Sequence, residues 1–222
     1  MQIVNYQLFY SHQKRSRFVL WKKWVLANAI AELFCLGIIV FVGTTVGNLN
    51  PQEILVLIGI FQGLILGFAQ WFALRRYIRN FFWWIPATVI GWLLGWLAML
   101  FVAIITAIVS ILAPNSLDTI TLLVRVVWLG AAMGTLIGLA QGLVFFVYLK
   151  IPIYKAVWWM NFNALAWALR FLVGFVVASL QLNGFCVSTA LIVLATGAVM
   201  LVIPGVITGL ILVYLLTLER LH

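Results

Sequence analysis

Charge is nearly missing from the middle of this chain, and it is missing in long blocks. Between Arg79 and Arg125 the one charged side chain is Asp118, and between Arg170 and Glu219 there is none. Hydrophobic residues fill 66% of the 222 positions and charged ones only 8%. The single core of a water-soluble domain cannot hide that much apolar surface. Several blocks exceed the roughly 20 residues that cross ~30 Å of hydrocarbon. Without water to satisfy the backbone, only helices or closed barrels span a bilayer, and runs this long predict helices. The expected fold class is therefore an all-α integral membrane protein with six transmembrane helices, near residues 24–46, 53–74, 83–112, 121–149, 157–180 and 190–217. These spans form one domain over 24–222, preceded by a basic segment, 1–23. The third and fourth are longer than a bilayer requires, which predicts tilt or protrusion.

The formal net charge of +9 is placed asymmetrically. Lys14, Arg15, Arg17, Lys22 and Lys23 precede the first span; Arg75, Arg76 and Arg79 follow the second; Lys150 and Lys155 follow the fourth; Arg220 lies in the tail. The connections on the other side, around 47–52, 113–120 and 181–189, contain no Lys or Arg, and the acidic residues there are Glu53 and Asp118. Such a bias predicts both termini in the cytoplasm of a bacterial-type inner membrane. Its basic rim is expected to meet anionic lipid head groups rather than nucleic acid. Residues 1–23 are too long and too mixed for the first part of a cleaved signal, so the first span is expected to stay as an anchor. Phe9, Tyr10, Phe18, Leu20, Trp21 and Trp24 leave two readings of that segment: an interfacial helix or a partly ordered basic tail. Cys35 and Cys186 fall at different depths, and no bridge between them is expected.

An internal repeat runs through the apolar blocks. Gly63-Leu-Ile-Leu-Gly67-Phe-Ala-Gln70 returns as Gly134-Thr-Leu-Ile-Gly138-Leu-Ala-Gln141, and Gly205 and Gly209 stand a further 71 residues on, with Leu212 in the place of the glutamine. Trp83-Trp84 with Trp92 is echoed by Trp158-Trp159 with Trp167. The pattern reads as one helical hairpin written three times, near 24–74, 83–149 and 157–217. Trp24, Trp84 and Trp159 are expected at the head-group level, opening the odd spans. Four residues inward stand Asn28, Thr88 and Asn163, then Ala31, Gly91 and Ala166, then Glu32, Trp92 and Trp167. Glycines spaced by four line one face of each even span, at Gly59, Gly63 and Gly67, at Gly130, Gly134, Gly138 and Gly142, and at Gly205 and Gly209. Such stripes predict close backbone approach between helices; a glycine-lined path is the competing reading. Gln70 and Gln141 come at the depth of Asn28, Thr88 and Asn163, predicting a polar layer of these five that clasps the bundle or, alternatively, holds a ligand. A small-residue helix ending in glutamine, a basic turn and Trp-Trp opening the next span resembles uncharacterised multi-pass bacterial membrane proteins. The likeness rests on Gly63, Gly67, Gln70, Trp71, Arg75, Trp83, Trp84 and Trp92, with their echoes at Gly134, Gly138, Gln141, Trp158, Trp159 and Trp167. It implies a membrane bundle and brings no activity with it.

Three charged residues fall within spans. Arg125 is a turn from the end of its span and is expected to snorkel to the head groups. Glu32 lies about 12 Å inward from Trp24, and Arg170 about 16 Å inward from Trp159, at 1.5 Å per residue. Either charge alone would be expensive in hydrocarbon, so each predicts a partner. Two readings follow: a Glu32–Arg170 contact that ties the first hairpin to the third, or a site at which Glu32 titrates or binds a cation and Arg170 attracts an anion.

Catalytic groups are sparse. His12 and His222 lie outside the spans, and Ser110, Ser179 and Ser188 have no base at matching depth. No cluster of His, Cys and carboxylate has metal-ligand spacing, and no phosphate-cradling Gly-x-x-x-x-Gly-Lys occurs. The expectation is a non-catalytic protein without a resident metal or cofactor, in which bound lipid or pigment remains open. Its expected role is an accessory or scaffold subunit of a larger membrane complex, or a homo-oligomer. The competing role is a small transporter or channel, including a membrane-disrupting effector, with the same polar residues lining its path.

Overall fold

The computed structural model describes residues 2–45, 51–78, 81–112, 118–181 and 187–218. Six helices account for nearly all of these: α1 (Gln2–Thr45), α2 (Pro51–Leu74), α3 (Trp84–Leu112, entered through a 3-10 turn at Phe81–Trp83), α4 (Thr119–Tyr148), α5 (Ile153–Gln181) and α6 (Val187–Leu218). Two prolines stand where a helix begins and the missing N–H is harmless, Pro51 opening α2 and Pro152 preceding α5, whereas Pro204 lies inside α6. Asp118 caps α4 by accepting from the backbone N–H of Thr121 at 3.1 Å. Hydrogen bonds from the Thr121 side chain and backbone hold its carboxyl below the usual range. At the other end of α4, Lys150 turns into the left-handed region (φ 51), and the Ile151 N–H returns to the Phe145 carbonyl at 3.3 Å.

Four stretches of the described helices are long and apolar enough to cross a membrane: Phe81–Ile108, Thr119–Tyr148, Ile153–Val177 and Gly197–Leu216. The described apolar part of α2, Gly59–Leu74, is shorter. Apart from α1, the helix ends lie within a few residues of the expected spans. The difference at α1 is substantial. Residues 2–23 and the first expected span as far as Thr45 belong to one uninterrupted helix of 44 residues, about 66 Å long and twice the hydrocarbon thickness. The connections around 47–52, 113–120 and 181–189 lie largely outside the described residues, as do Arg79, Cys186, Arg220 and His222.

Each helix packs against the next, and α6 packs back on α1, so the six make a closed ring. Large apolar side chains cover its outside, among them Phe68, Phe72, Phe101, Ile111, Ile120 and Trp128, the last 71% exposed. Apolar surface on this scale needs a lipid solvent, and the protein is an all-helical membrane protein.

The closest pairings are α4 with α5 and α2 with α3. The glycine stripes explain them. A Cβ on Gly63 would meet the Val89 Cα at 2.7 Å, one on Gly134 the Asn163 carbonyl oxygen at 2.3 Å, and one on Gly205 the Val25 Cα at 3.3 Å. Each even helix therefore lays its stripe on the odd helix that follows it around the ring, α6 on α1 included. The stripes of the even helices thus join the expected hairpins to one another, and a further close approach runs inside the second hairpin, where a Cβ on Gly91 would meet the Ile137 Cα at 2.8 Å. The third copy is also displaced in register. Gly67 faces Ile85, Gly138 faces Met160 and Gly205 faces Val25, each one residue past the inward-facing tryptophan of its partner. Gly205 thus stands with Gly67 and Gly138, one turn away from the alignment read off the glycine spacing.

Candidate functional site

The odd helices place residues eight apart on the axis of the ring, because eight positions are a little over two helical turns. Trp24, Trp84 and Trp159 meet there, each with no exposed surface. Their ring centroids are 6.0, 6.0 and 5.8 Å apart, at interplanar angles of 72°, 73° and 65°, a triangle of edge-to-face contacts. Such pairs contribute about 0.5–1.5 kcal/mol each beyond the area they bury. These three rings, expected to open the odd spans, face inward and fill the bundle centre. Their neighbours Trp83 and Trp158 point outward instead, 54% and 55% exposed, since adjacent helical residues diverge by 100°. Phe81, Phe145, Leu74, Ile151, Leu212 and Leu215 pack around the triangle.

A buried indole N–H needs an acceptor, and each of the three finds one on the preceding helix of the ring. Trp84 donates to the Gln70 Oε1 at 2.9 Å, Trp159 to the Gln141 Oε1 at 3.3 Å, and Trp24 to the Thr208 Oγ1 at 2.9 Å. The Gln70 Nε2 donates to the Asn28 Oδ1 at 2.8 Å; the Gln141 Nε2 donates to the Gln70 Oε1 at 3.1 Å and to the Thr88 Oγ1 at 3.0 Å. Asn28, Thr88 and Asn163 each donate to the carbonyl of the tryptophan one turn before, at 2.8, 2.8 and 3.0 Å. All five expected members of the layer are thus buried at one level. Four of them form a connected network, while Asn163 joins through Trp159.

Thr208 is the member that the sequence reading missed. It follows Gly205 by three, as Gln70 follows Gly67 and Gln141 follows Gly138, and that spacing was the available signal. Its side chain is too short to imitate glutamine: Thr208 donates back to the Pro204 carbonyl of its own helix. In this layer, hence, no hydrogen bond among the described residues joins α5 to α6. Elsewhere the layer is closed upon itself, and no buried side-chain nitrogen or oxygen among the described residues lacks a partner. Replacing Gln70 with Leu leaves the Trp84 N–H and the Asn28 Oδ1 without their partners. The expected loss is about 1–2 kcal/mol, in the range for interhelical bonds in lipid, read by reversible unfolding in mixed micelles. Gln62→Leu, which removes only the 2.9 Å bond from the Trp96 Nε1, is expected to lose less.

Eight residues further inward, Trp92 and Trp167 meet edge to face at 5.1 Å and 84°. The corresponding position on α1 is Glu32, buried like them. Arg170 reaches across from α5 and grips this carboxylate with two parallel bonds, NH1 to Oε1 and NH2 to Oε2, the second at 2.8 Å. The guanidinium also lies over the Trp167 ring, 4.6 Å from its centroid. Two expected site residues are therefore one neutral unit, fixed in a planar fork that only arginine provides. Farther from the basic end, a cavity of about 470 Å³ opens among Gln62, Trp96, Met99, Met133, Arg170 and Met200. Gln62 was not expected there, although it too follows a glycine, Gly59, by three.

Among the described residues no three of His, Cys, Asp and Glu gather as metal ligands. Cys35 is buried as a free thiol. Arg125 is half-buried, six residues into α4. Fold and site together define an all-helical membrane protein whose axis is packed with tryptophan and laced by amides. Comparison with protein-family models, with curated proteins and with solved structures finds no match for this chain.

Proposed function

We propose that this chain is a non-catalytic, six-span integral membrane protein that serves as an accessory or scaffold subunit of a larger membrane complex. In this reading, α1 to α6 all cross a bacterial-type inner membrane as three hairpins, with both termini and the basic connections in the cytoplasm. Anionic lipid head groups then surround the basic end. One observation carries the proposal: the axis is filled by three tryptophans without exposed surface, beneath amides that satisfy one another. Among the described residues, a bundle packed in this way leaves no polar route past the tryptophan triangle. What it offers to other molecules is its apolar outer surface, which includes Phe68 and Phe72 on α2 and Trp128 on α4. Extraction in mild detergent, followed by native electrophoresis, is expected to show the protein in a particle much larger than its 24.9 kDa.

A small transporter is the competing reading, favoured by the cavity that ends on Arg170 and Gln62. Flux into proteoliposomes separates the two. Solute uptake by the purified protein, abolished in Arg170→Ala with folding intact, would overturn the scaffold assignment. Liposomes as tight as protein-free ones support it.

A further inference from the structure

The ring is weakest in polar ties between α5 and α6, and a second cavity lies there. It measures about 440 Å³ and is lined by Tyr154, Lys155, Trp158, Phe162, Leu210, Ile211, Tyr214 and Leu215. Where Gln70 and Gln141 each bridge two neighbouring helices, Thr208 turns back on its own carbonyl and makes no such tie to α5.

One residue in this groove calls for a ligand. Lys155 is only 9% exposed, yet no carboxylate among the described residues pairs with it. It precedes Trp159 by four, a place that Leu20 fills with a buried apolar side chain before Trp24. Its stem is buried while its ammonium keeps some exposure and has no carboxylate partner among the described residues. That leaves a cation at the mouth of an apolar groove to attract an anion. The residues facing it from α6, Leu210, Ile211, Tyr214 and Leu215, are uncharged. Tyr154, Trp158 and Tyr214 flank the groove, half or more exposed, as amphipathic rings do at the head-group level. Inward from Lys155 the lining turns apolar, reaching Phe162 about 10 Å deeper at 1.5 Å per residue.

We infer that the α5–α6 groove is a binding site for one anionic phospholipid, its phosphate on Lys155 and an acyl chain along Phe162, Leu210 and Ile211. The occupant follows from the two ends of the groove: a single unpaired cation at the mouth and hydrocarbon-lined walls behind it. A free phosphate would satisfy the first and leave the second empty. The inference rests on the proposed placement of the basic end at the membrane surface, but not on the scaffold role.

Native mass spectrometry of the purified full chain, delipidated and then titrated with phosphatidylglycerol or phosphatidylcholine, tests it. The expected result is a first lipid bound roughly five- to tenfold more tightly when it is phosphatidylglycerol. Lys155→Met should abolish that preference and Lys155→Arg keep it. Leu210→Trp, which fills the groove without touching charge, should weaken both lipids. Equal affinity for the two lipids in the wild type would sink the assignment. So would a preference unchanged in Lys155→Met, or inorganic phosphate competing as well as the lipid. Glu219, one turn beyond Leu215 in sequence, lies outside the described residues; if Glu219→Gln creates a preference that the wild type lacks, Lys155 is internally paired and the proposal fails. The scaffold reading is scored separately: Lys155→Met is expected to leave the size of the native particle unchanged.

Discussion

Arg170→Met is expected to lower the free energy of unfolding by about 3–5 kcal/mol, the largest effect of any single substitution in this chain. The guanidinium holds Glu32 by two bonds and lies over Trp167, so its loss strands a carboxylate that is itself only 3% exposed. In lipid, the stranded group has no water to turn to. Glu32→Gln is expected to be milder, because an amide oxygen can still accept from Arg170. The double replacement, Glu32→Met with Arg170→Met, removes both charges at nearly constant volume and is expected to recover most of the loss. Equilibrium unfolding in mixed micelles measures all three. Should the double variant be no better than Arg170→Met, the deficit belongs to packing against Trp167, and the ion pair is not what ties α1 to α5.

Gly134→Ala comes second, at about 3 kcal/mol, the upper part of the usual range for overpacking. The added Cβ would stand 2.3 Å from the Asn163 carbonyl oxygen and 2.8 Å from the Ala164 Cα, backbone atoms that cannot rotate away. To admit it, α4 and α5 must separate, and the 3.3 Å bond from Trp159 to Gln141 lies across that same seam. Gly37 and Gly197 provide the controls, since a Cβ on either meets nothing within 4 Å. There the better helix propensity of alanine should leave stability unchanged or raise it by up to ~1 kcal/mol. Equal losses at Gly134 and Gly37 would show that glycine acts through the helix backbone rather than through the seam.

The polar layer was readable as a set of depths. Counting from the tryptophans put Asn28, Thr88 and Asn163 at one level, and counting from the basic turns put Gln70 and Gln141 there too. What no count supplies is which way a side chain faces. Trp83 and Trp84 are identical neighbours, and only the ring of helices makes one a lipid contact and the other the centre of the core. Thr208 escaped for a related reason. Glycine spacing aligned the third copy through Gly205 and Gly209, whereas the facing helix aligns it through Gly205 and the residue three beyond. Lys155 looked like one more cation of the basic rim, because burial between two helices leaves no mark on a residue type.

Local chemistry along the chain was sufficient to set α2 to α6, their approximate ends and their lipid solvent, though not the start of α1: apolar runs of this length leave the backbone no other way to satisfy itself. It also required that Glu32 and Arg170 find partners, since neither charge is tolerable alone at that depth. Tertiary structure decided which neighbours meet. A glycine stripe accepts any helix that can come close, so its place in the ring depends on the surfaces of all six helices together. That choice laid each stripe on the following helix, turned three tryptophans onto one axis, and left a groove between α5 and α6 beside Lys155.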